Sequence, residues 1–119
     1  MGPIPKATEE KIAQLQLFEQ NLQSLSAQKQ SLQSQILEMN NAVKEVEIAT
    51  GVVYKIVGPI MIHAEKEKIT KDLKERKDVL DLRIKSVEKQ EKSVEEKAKE
   101  LQTEIMAELE TLEKNGRTH

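Results

Sequence analysis

Apolar residues recur every three or four positions along two long polar stretches of this chain, on either side of an almost wholly apolar segment, Val52 to Ile62. Such spacing puts apolar side chains on one face of a helix and, when sustained, predicts a coiled coil. The first set is Leu15, Phe18, Leu22, Leu25, Leu32, Ile36, Met39, Val43 and Val46, with Lys29 as its polar member. The second set is Leu73, Leu80, Ile84, Val87, Val94, Ala98, Leu101 and Ile105, with Lys77 and Glu91 as polar members. We call the two sets together the seam.

The limits of the helices follow from helix-breaking and capping residues. Pro3 and Pro5 keep the first residues out of a helix, and Thr8, which precedes acidic residues, is a suitable N-cap. Gly51 suits a helix C-terminus. We therefore predict a single domain, 1–119, with helix 1 at 8–49, a hairpin at 52–63, helix 2 at 65–113, and flexible ends at 1–7 and 114–119.

The apolar segment between the helices has the composition of a β-hairpin. It is rich in β-branched residues and is broken by Gly58-Pro59, which predicts two short strands around a turn. Both faces would be apolar, and an uncovered hairpin of this kind would aggregate. We expect it to complete its sheet with other subunits or, alternatively, to fold back on its own coiled coil. The residues predicted to mediate assembly are Val52, Val53, Tyr54, Ile56, Val57, Ile60, Met61 and Ile62.

A hairpin between two helices reverses the chain, so the helices should pack as neighbours in opposite directions. Placing Val43 opposite Leu73 sets one register for the pair, and a register shifted by one heptad remains an alternative. The same register pairs Leu32 with Ile84, Phe18 with Ala98, and Leu15 with Leu101. The expected fold class is mainly α: a long antiparallel two-helix coiled coil with one β-hairpin between the helices.

Composition excludes several classes of function. Aromatic residues make up 2% of the chain and charged residues 34%, and the net charge is −2 with no basic block, which argues against nucleic-acid binding. There is no cysteine, no glycine-rich phosphate loop and no nucleophile–base set, so we expect no enzyme activity, no metal and no cofactor. The apolar run is too short to span a bilayer and no signal peptide is evident, so we expect no membrane association and a cytoplasmic location.

Four local motifs resemble the β-type subunits of prefoldin, an ATP-independent chaperone family, from about Ile12 to Leu112. The motifs are Gln28-Lys29-Gln30, Val53-Tyr54-Lys55-Ile56-Val57-Gly58, Leu80-Asp81-Leu82-Arg83-Ile84 and Glu88-Lys89-Gln90-Glu91. The resemblance implies a hexamer of two α-type subunits and four β-type subunits such as this one. It also implies that the hairpins join in intersubunit β-barrels, and that the coiled-coil tips grip unfolded client proteins and pass them to a group II chaperonin.

Apolar residues near the two chain ends are the candidates for client binding, because unfolded proteins also expose apolar surface. Leu109 and Leu112 are expected to run out of step with the seam, although they could equally extend it. The predicted client-binding residues are Ile4, Ile12, Leu15, Leu17, Phe18, Ile105, Met106, Leu109 and Leu112.

Two other functions fit the same pattern less fully. A prefoldin-like adaptor would use the same hairpin assembly but hold one fixed partner complex through a specific surface. An amphipathic protein of membrane surfaces is less favoured, because no basic face adjoins an apolar one.

Overall fold

The computed structural model describes residues 3–49, 51 and 53–117, without the side chains of 116 and 117. Its elements are helix α1 (Lys6–Ile48), strand β1 (Val53–Val57), strand β2 (Ile60–Ala64) and helix α2 (Lys66–Arg117). The two strands pair antiparallel. Two long helices with one hairpin between them confirm the predicted fold class.

Helix α1 begins two residues earlier than predicted, directly after Pro5. The Pro5 carbonyl accepts the first helical hydrogen bond, from the Glu9 amide at 3.0 Å. Proline fits this position because it has no amide hydrogen to donate. Thr8 therefore lies inside the first turn and is not the N-cap; its hydroxyl instead donates to a side chain of α2.

Helix α2 extends to Arg117, beyond the predicted end at 113. Asn115 and Gly116 each cost a helix only about 1 kcal/mol or less, and neither blocks backbone hydrogen bonding as proline does, so the helix continues through them. Residues 6–7 and 114–117, which the prediction places in flexible ends at 1–7 and 114–119, are helical. Residues 1, 2, 118 and 119 lie outside the described part of the chain.

The chain divides into two compact units, and each contains one segment of α1 and one of α2. The terminal unit comprises Met1–Ala27 and Val87–His119, and the hairpin unit comprises Gln28–Ser86. In the terminal unit, Thr8 contacts Glu108 and Lys11 contacts Glu104, so the two segments run antiparallel. The pairing of Thr8 with Glu108 lies on the register predicted for Leu15 and Leu101.

The seam is the core of both units. Leu25, Val87, Leu101 and Ile105 are buried in the terminal unit, and Leu80 is buried in the hairpin unit. Every other predicted seam position, including the polar members, is half-buried. Each of two packed helices covers only one side of the other. Among the described residues, the buried apolar side chains therefore all belong to the seam.

The turn of the hairpin consists of Gly58 and Pro59. Gly58 has a φ of +60°, a conformation that costs an L-residue about 1–2 kcal/mol and costs glycine almost nothing. A positive φ at the first of two turn residues is the requirement of a type II′ hairpin loop, and the fixed φ of proline suits the second. The turn sets the pairing of Val57 with Ile60 and of Ile56 with Met61.

We expect Leu80→Ala to lower the free energy of unfolding by about 2–3 kcal/mol, because it removes buried methyl groups from the seam and leaves a cavity. Leu80 is 6% exposed, whereas Leu82, two residues away on the same helix, is 66% exposed. Leu82→Ala is therefore the matched control and should change stability by less than about 0.5 kcal/mol. Urea unfolding followed by circular dichroism measures both, and equal losses would contradict a core confined to the seam.

Candidate functional site

The two faces of the hairpin differ in their side chains. Directly paired residues lie on the same face, so Tyr54 and His63 share one face with Ile56 and Met61. The rings of Tyr54 and His63 meet edge to face, with centroids 6.1 Å apart. The opposite face carries Val53 with Ala64, Lys55 with Ile62, and Val57 with Ile60.

Most of the apolar side chains of the hairpin are uncovered on both faces. Ile56 is 70% exposed on one face, and Val57 is 49% exposed on the other. The alternative in which the hairpin folds back on its own helices is therefore wrong for these residues. Val53 is half-buried at the base of the hairpin, and Val52 lies outside the described residues. We call the exposed set the hairpin surface: Tyr54, Ile56, Val57, Ile60, Met61 and Ile62.

Lys66 holds the base of the hairpin to the end of α1. Its Nζ donates to the Glu47 carbonyl at 2.6 Å and to the Ala49 carbonyl at 3.1 Å. The last turn of α1 has no basic residue of its own, although a positive charge there satisfies free carbonyls and offsets the helix dipole. Lys66 supplies that charge from the first residue of α2, and no local sequence signal had identified it.

The predicted client-binding residues fall into three levels of exposure. Met106 and Leu17 are exposed, at 57% and 58%, and so is Ile4. Ile105 is buried. The half-buried members are Ile12, Leu15, Phe18, Leu109 and Leu112.

These residues do not form one continuous apolar patch. Leu17 and Ile12 are about 140° apart around the axis of α1, at 3.6 residues per turn. Met106 and Leu109, three residues apart, lie on one side of α2. The predicted client-binding residues therefore lie on more than one side of the terminal unit.

A group of four polar side chains crosses the seam of the terminal unit, and sequence reasoning had not identified it. The Thr8 hydroxyl donates to Glu108 Oε2 at 3.1 Å, and Thr8 is only 2% exposed. Lys11 Nζ donates to Glu108 Oε1 at 2.6 Å and lies 3.5 Å from Glu104 Oε2. We call Thr8, Lys11, Glu104 and Glu108 the polar clasp.

The polar clasp corrects the predicted break in the seam at Leu109 and Leu112. Glu108 follows Ile105 by three residues and Leu112 follows Glu108 by four, so the heptad continues in step. Glu108 takes the seam position and reaches across to α1. Extending the heptad by one step past Ile105 would have identified this position from the sequence.

The contacts of the polar clasp shift the acid–base behaviour of two side chains. The hydrogen bond to Glu108, with the charges of Glu108 and Glu104, raises the pKa of the Lys11 ammonium above its usual value. The hydrogen bond from Lys11, aided by Thr8, lowers the pKa of the Glu108 carboxyl. Partial desolvation opposes both shifts but does not reverse them. The clasp is thus most stable when both groups are charged.

Neither a metal site nor a membrane span is found in the described part of the chain. No group of three or more histidine and carboxylate side chains there could hold a metal ion. No helix within the described residues is both long enough and apolar enough to cross a membrane. The remaining candidate sites are the hairpin surface and the terminal unit.

The sequence pattern of a family described as "Prefoldin subunit" matches residues 9–112, which include both helices and the hairpin. The chain belongs to the prefoldin subunit family. Prefoldins are chaperones, so this chain is a prefoldin chaperone subunit, and as such it assembles with other prefoldin subunits.

Individual prefoldin subunits from archaea are similar along nearly the whole chain. The prefoldin subunit beta of Pyrococcus furiosus is 36% identical over 111 residues, which cover 92% of this chain and 95% of that one. The prefoldin subunit beta of Methanothrix thermoacetophila is 37% identical over 110 residues, 91% of this chain and 92% of that one. The predicted resemblance to β-type prefoldin subunits is confirmed.

A solved prefoldin structure has the same fold. The crystal structure of the prefoldin beta subunit from Thermococcus strain KS-1 superposes with a TM-score of 0.85 at 36% identity. The superposition covers 90% of this chain and 96% of that one. The likeness therefore includes the hairpin as well as the helices.

We expect the polar clasp to stabilise this prefoldin subunit only within a window of pH. Because folding lowers the pKa of Glu108, this carboxylate stabilises the folded state at pH values above its usual pKa of 4.5. That stabilisation is lost as the pH falls through the lowered pKa. Because the pKa of Lys11 is raised, its contribution is present below 10.5 and is lost as the pH rises through the raised value.

Thermal unfolding of the wild type and of Glu108→Gln at a series of pH values measures this contribution. The difference in melting temperature should be steady near neutral pH and should shrink toward both extremes. Glu110→Gln, at an exposed position on the same helix, is the control and should show no such profile. A difference between wild type and Glu108→Gln that stays constant with pH would contradict the charged clasp.

Proposed function

We propose that this chain is one of four β-type subunits in a hexamer with two α-type subunits, and that the hexamer holds unfolded proteins without ATP or any catalytic step. The observation that carries this proposal is the hairpin surface, whose six apolar side chains are each about half or more exposed. In a prefoldin subunit, an exposed apolar surface of this kind is best explained as a surface that other subunits bury.

The geometry of the hairpin favours closure into a barrel with other hairpins. In the described part of the chain, β1 and β2 pair only with each other, so each strand keeps one free edge. Strands from neighbouring subunits would satisfy the backbone groups at these edges. A closed barrel would also give the hairpin an inner face, where apolar side chains on one of its two sides would be buried. Copies of this chain and α-type subunits are the proposed sources of those strands.

The terminal unit is the proposed binding surface for unfolded clients. Leu17 and Met106 are exposed on different flanks, and methionine adapts well to partners of varied shape. Each contact with an apolar client segment would be weak, at about 25 cal/mol per Å² buried. Several subunits acting on one client would bind it more firmly than one, because the later contacts are intramolecular.

Release to a group II chaperonin is the proposed next step. Weak, multiple contacts allow a client to leave one subunit at a time, so transfer needs no ATP in this protein. The cytoplasm, where newly made chains are still unfolded, is the proposed location.

We expect the double variant Ile56→Lys/Met61→Glu to assemble poorly with an α-type subunit, because it makes one face of the hairpin polar. Ile56 and Met61 are directly paired, so the opposite charges attract across the strands and help to keep the hairpin intact. Sedimentation velocity of the mixture should show loss of the large complex. Leu82→Lys, at an exposed position on α2, is the control and should assemble normally. Normal assembly of the double variant would contradict a role for the hairpin surface.

We expect the double variant Leu17→Ser/Met106→Ser to lose a large part of its ability to suppress aggregation while it assembles normally. The measurement is light scattering as a denatured protein is diluted into buffer that contains the complex without ATP. Leu37→Ser is the matched control, since Leu37 is equally exposed but lies in the hairpin unit.

Competition between clients distinguishes the chaperone from an adaptor. If two unrelated unfolded proteins displace each other from the complex, the binding surface is promiscuous, as the proposal requires. If Leu17→Ser/Met106→Ser suppresses aggregation as well as the wild type does, the terminal unit is not the binding surface. If unfolded proteins fail to bind at all, the adaptor with one fixed partner becomes the better explanation.

A further inference from the structure

The polar clasp divides the apolar residues of the terminal unit into two groups. Leu101 and Ile105, both buried, precede Glu108 along α2, whereas Leu109 and Leu112 follow Glu108 toward the C-terminal end. On α1, Ile4 likewise lies beyond Thr8 toward the chain end. The residues beyond the clasp are therefore joined to the rest of the seam through a polar layer.

A polar layer responds to its surroundings differently from an apolar one. The side chains of Lys11 and Glu108 are about one-third exposed, at 32% and 34%, so water and salt reach their ion pair. Salt screens such a pair, and its net contribution to stability is small. The apolar layers around Leu101 and Ile105 are stabilised by burial of apolar surface and not by ion pairs, so screening by salt does not weaken them.

The polar clasp is nevertheless fully satisfied when closed. Thr8 is almost completely buried and its hydroxyl is hydrogen-bonded to Glu108. No buried side-chain nitrogen or oxygen within the described residues lacks a partner. When the clasp opens, water can replace each of its hydrogen bonds. These are the properties of a contact that separates and re-forms readily.

We infer that the polar clasp is a gate, whose opening separates the ends of α1 and α2 and uncovers Leu109 and Leu112 for client binding. This inference rests on the proposed function, since it assigns a control element to the same binding surface. The clasp sets the fraction of subunits that are open, and a bound client holds the gate open because it contacts only the open state. Moderate salt favours the open state.

The test compares three forms of the assembled complex: the wild type, an apolar variant and a repulsive variant. The apolar variant, Thr8→Val/Lys11→Leu/Glu108→Leu, replaces the polar layer with apolar contacts and should hold the gate closed. The repulsive variant, Glu108→Lys, sets two positive charges side by side and should open it. Glu110→Gln is the control, because it changes an exposed carboxylate on the same turn of α2 without touching α1.

Opening is measured directly by amide hydrogen exchange within residues 6–15 and 101–113, at low and at moderate salt. In the wild type, exchange should become faster with salt. In the apolar variant it should be roughly tenfold slower than in the wild type and independent of salt, and in the repulsive variant it should be faster at both salt levels. Equal exchange in the wild type and the apolar variant would overturn the gate.

Client capture is measured on the same samples, by suppression of light scattering. The apolar variant should capture severalfold less client than the wild type even though it carries more apolar side chains, and Glu110→Gln should match the wild type. Undiminished capture by an apolar variant that exchanges slowly would overturn the link between the clasp and binding. Failure of the wild type to capture any client would overturn the proposed function instead, and the exchange data would still show whether the clasp opens.

Discussion

Two helices can bury only the stripe along which they touch, and the rest of this molecule follows from that limit. In the seam, the apolar residues of the two helices pack against each other, from Leu15 to Val46 on α1 and from Leu73 to Ile105 on α2. The helices do not cover the hairpin, and the side chains of the hairpin surface stay exposed on both of its faces. This prefoldin subunit is in this sense an incomplete domain, because its own core leaves the hairpin surface uncovered.

Polar contacts control the two places where that core ends. At the base of the hairpin, Lys66 donates hydrogen bonds to two carbonyls at the C-terminal end of α1, which ties the start of α2 to the end of α1. In the terminal unit, the polar clasp joins α1 and α2 through charges that water can reach. The first contact lies beside the proposed assembly surface, and the second lies within the proposed binding surface.

The sequence was sufficient for the fold because its signals are local and periodic. Each seam residue is specified by its spacing from neighbours on the same helix, and Gly58-Pro59 alone specifies the turn. The first and last residues of each helix are harder to predict than the helices themselves. They depend on small propensity differences, which is why the N-terminal start at Lys6 and the extension to Arg117 differed from the predicted limits.

The sites depended more on tertiary structure. Sequence showed that the hairpin was apolar on both faces, but only the structure showed that its own helices leave both faces uncovered. Thr8 has the local sequence of a helix cap, but its hydroxyl bonds to Glu108, which lies a hundred residues further along the chain. The sequence by itself thus determined the periodic seam and the turn, which arise from short-range spacing. The tertiary structure decided how exposed each side chain is and which polar side chains bond across the helices, because both depend on the full set of neighbours that the reversed chain brings together.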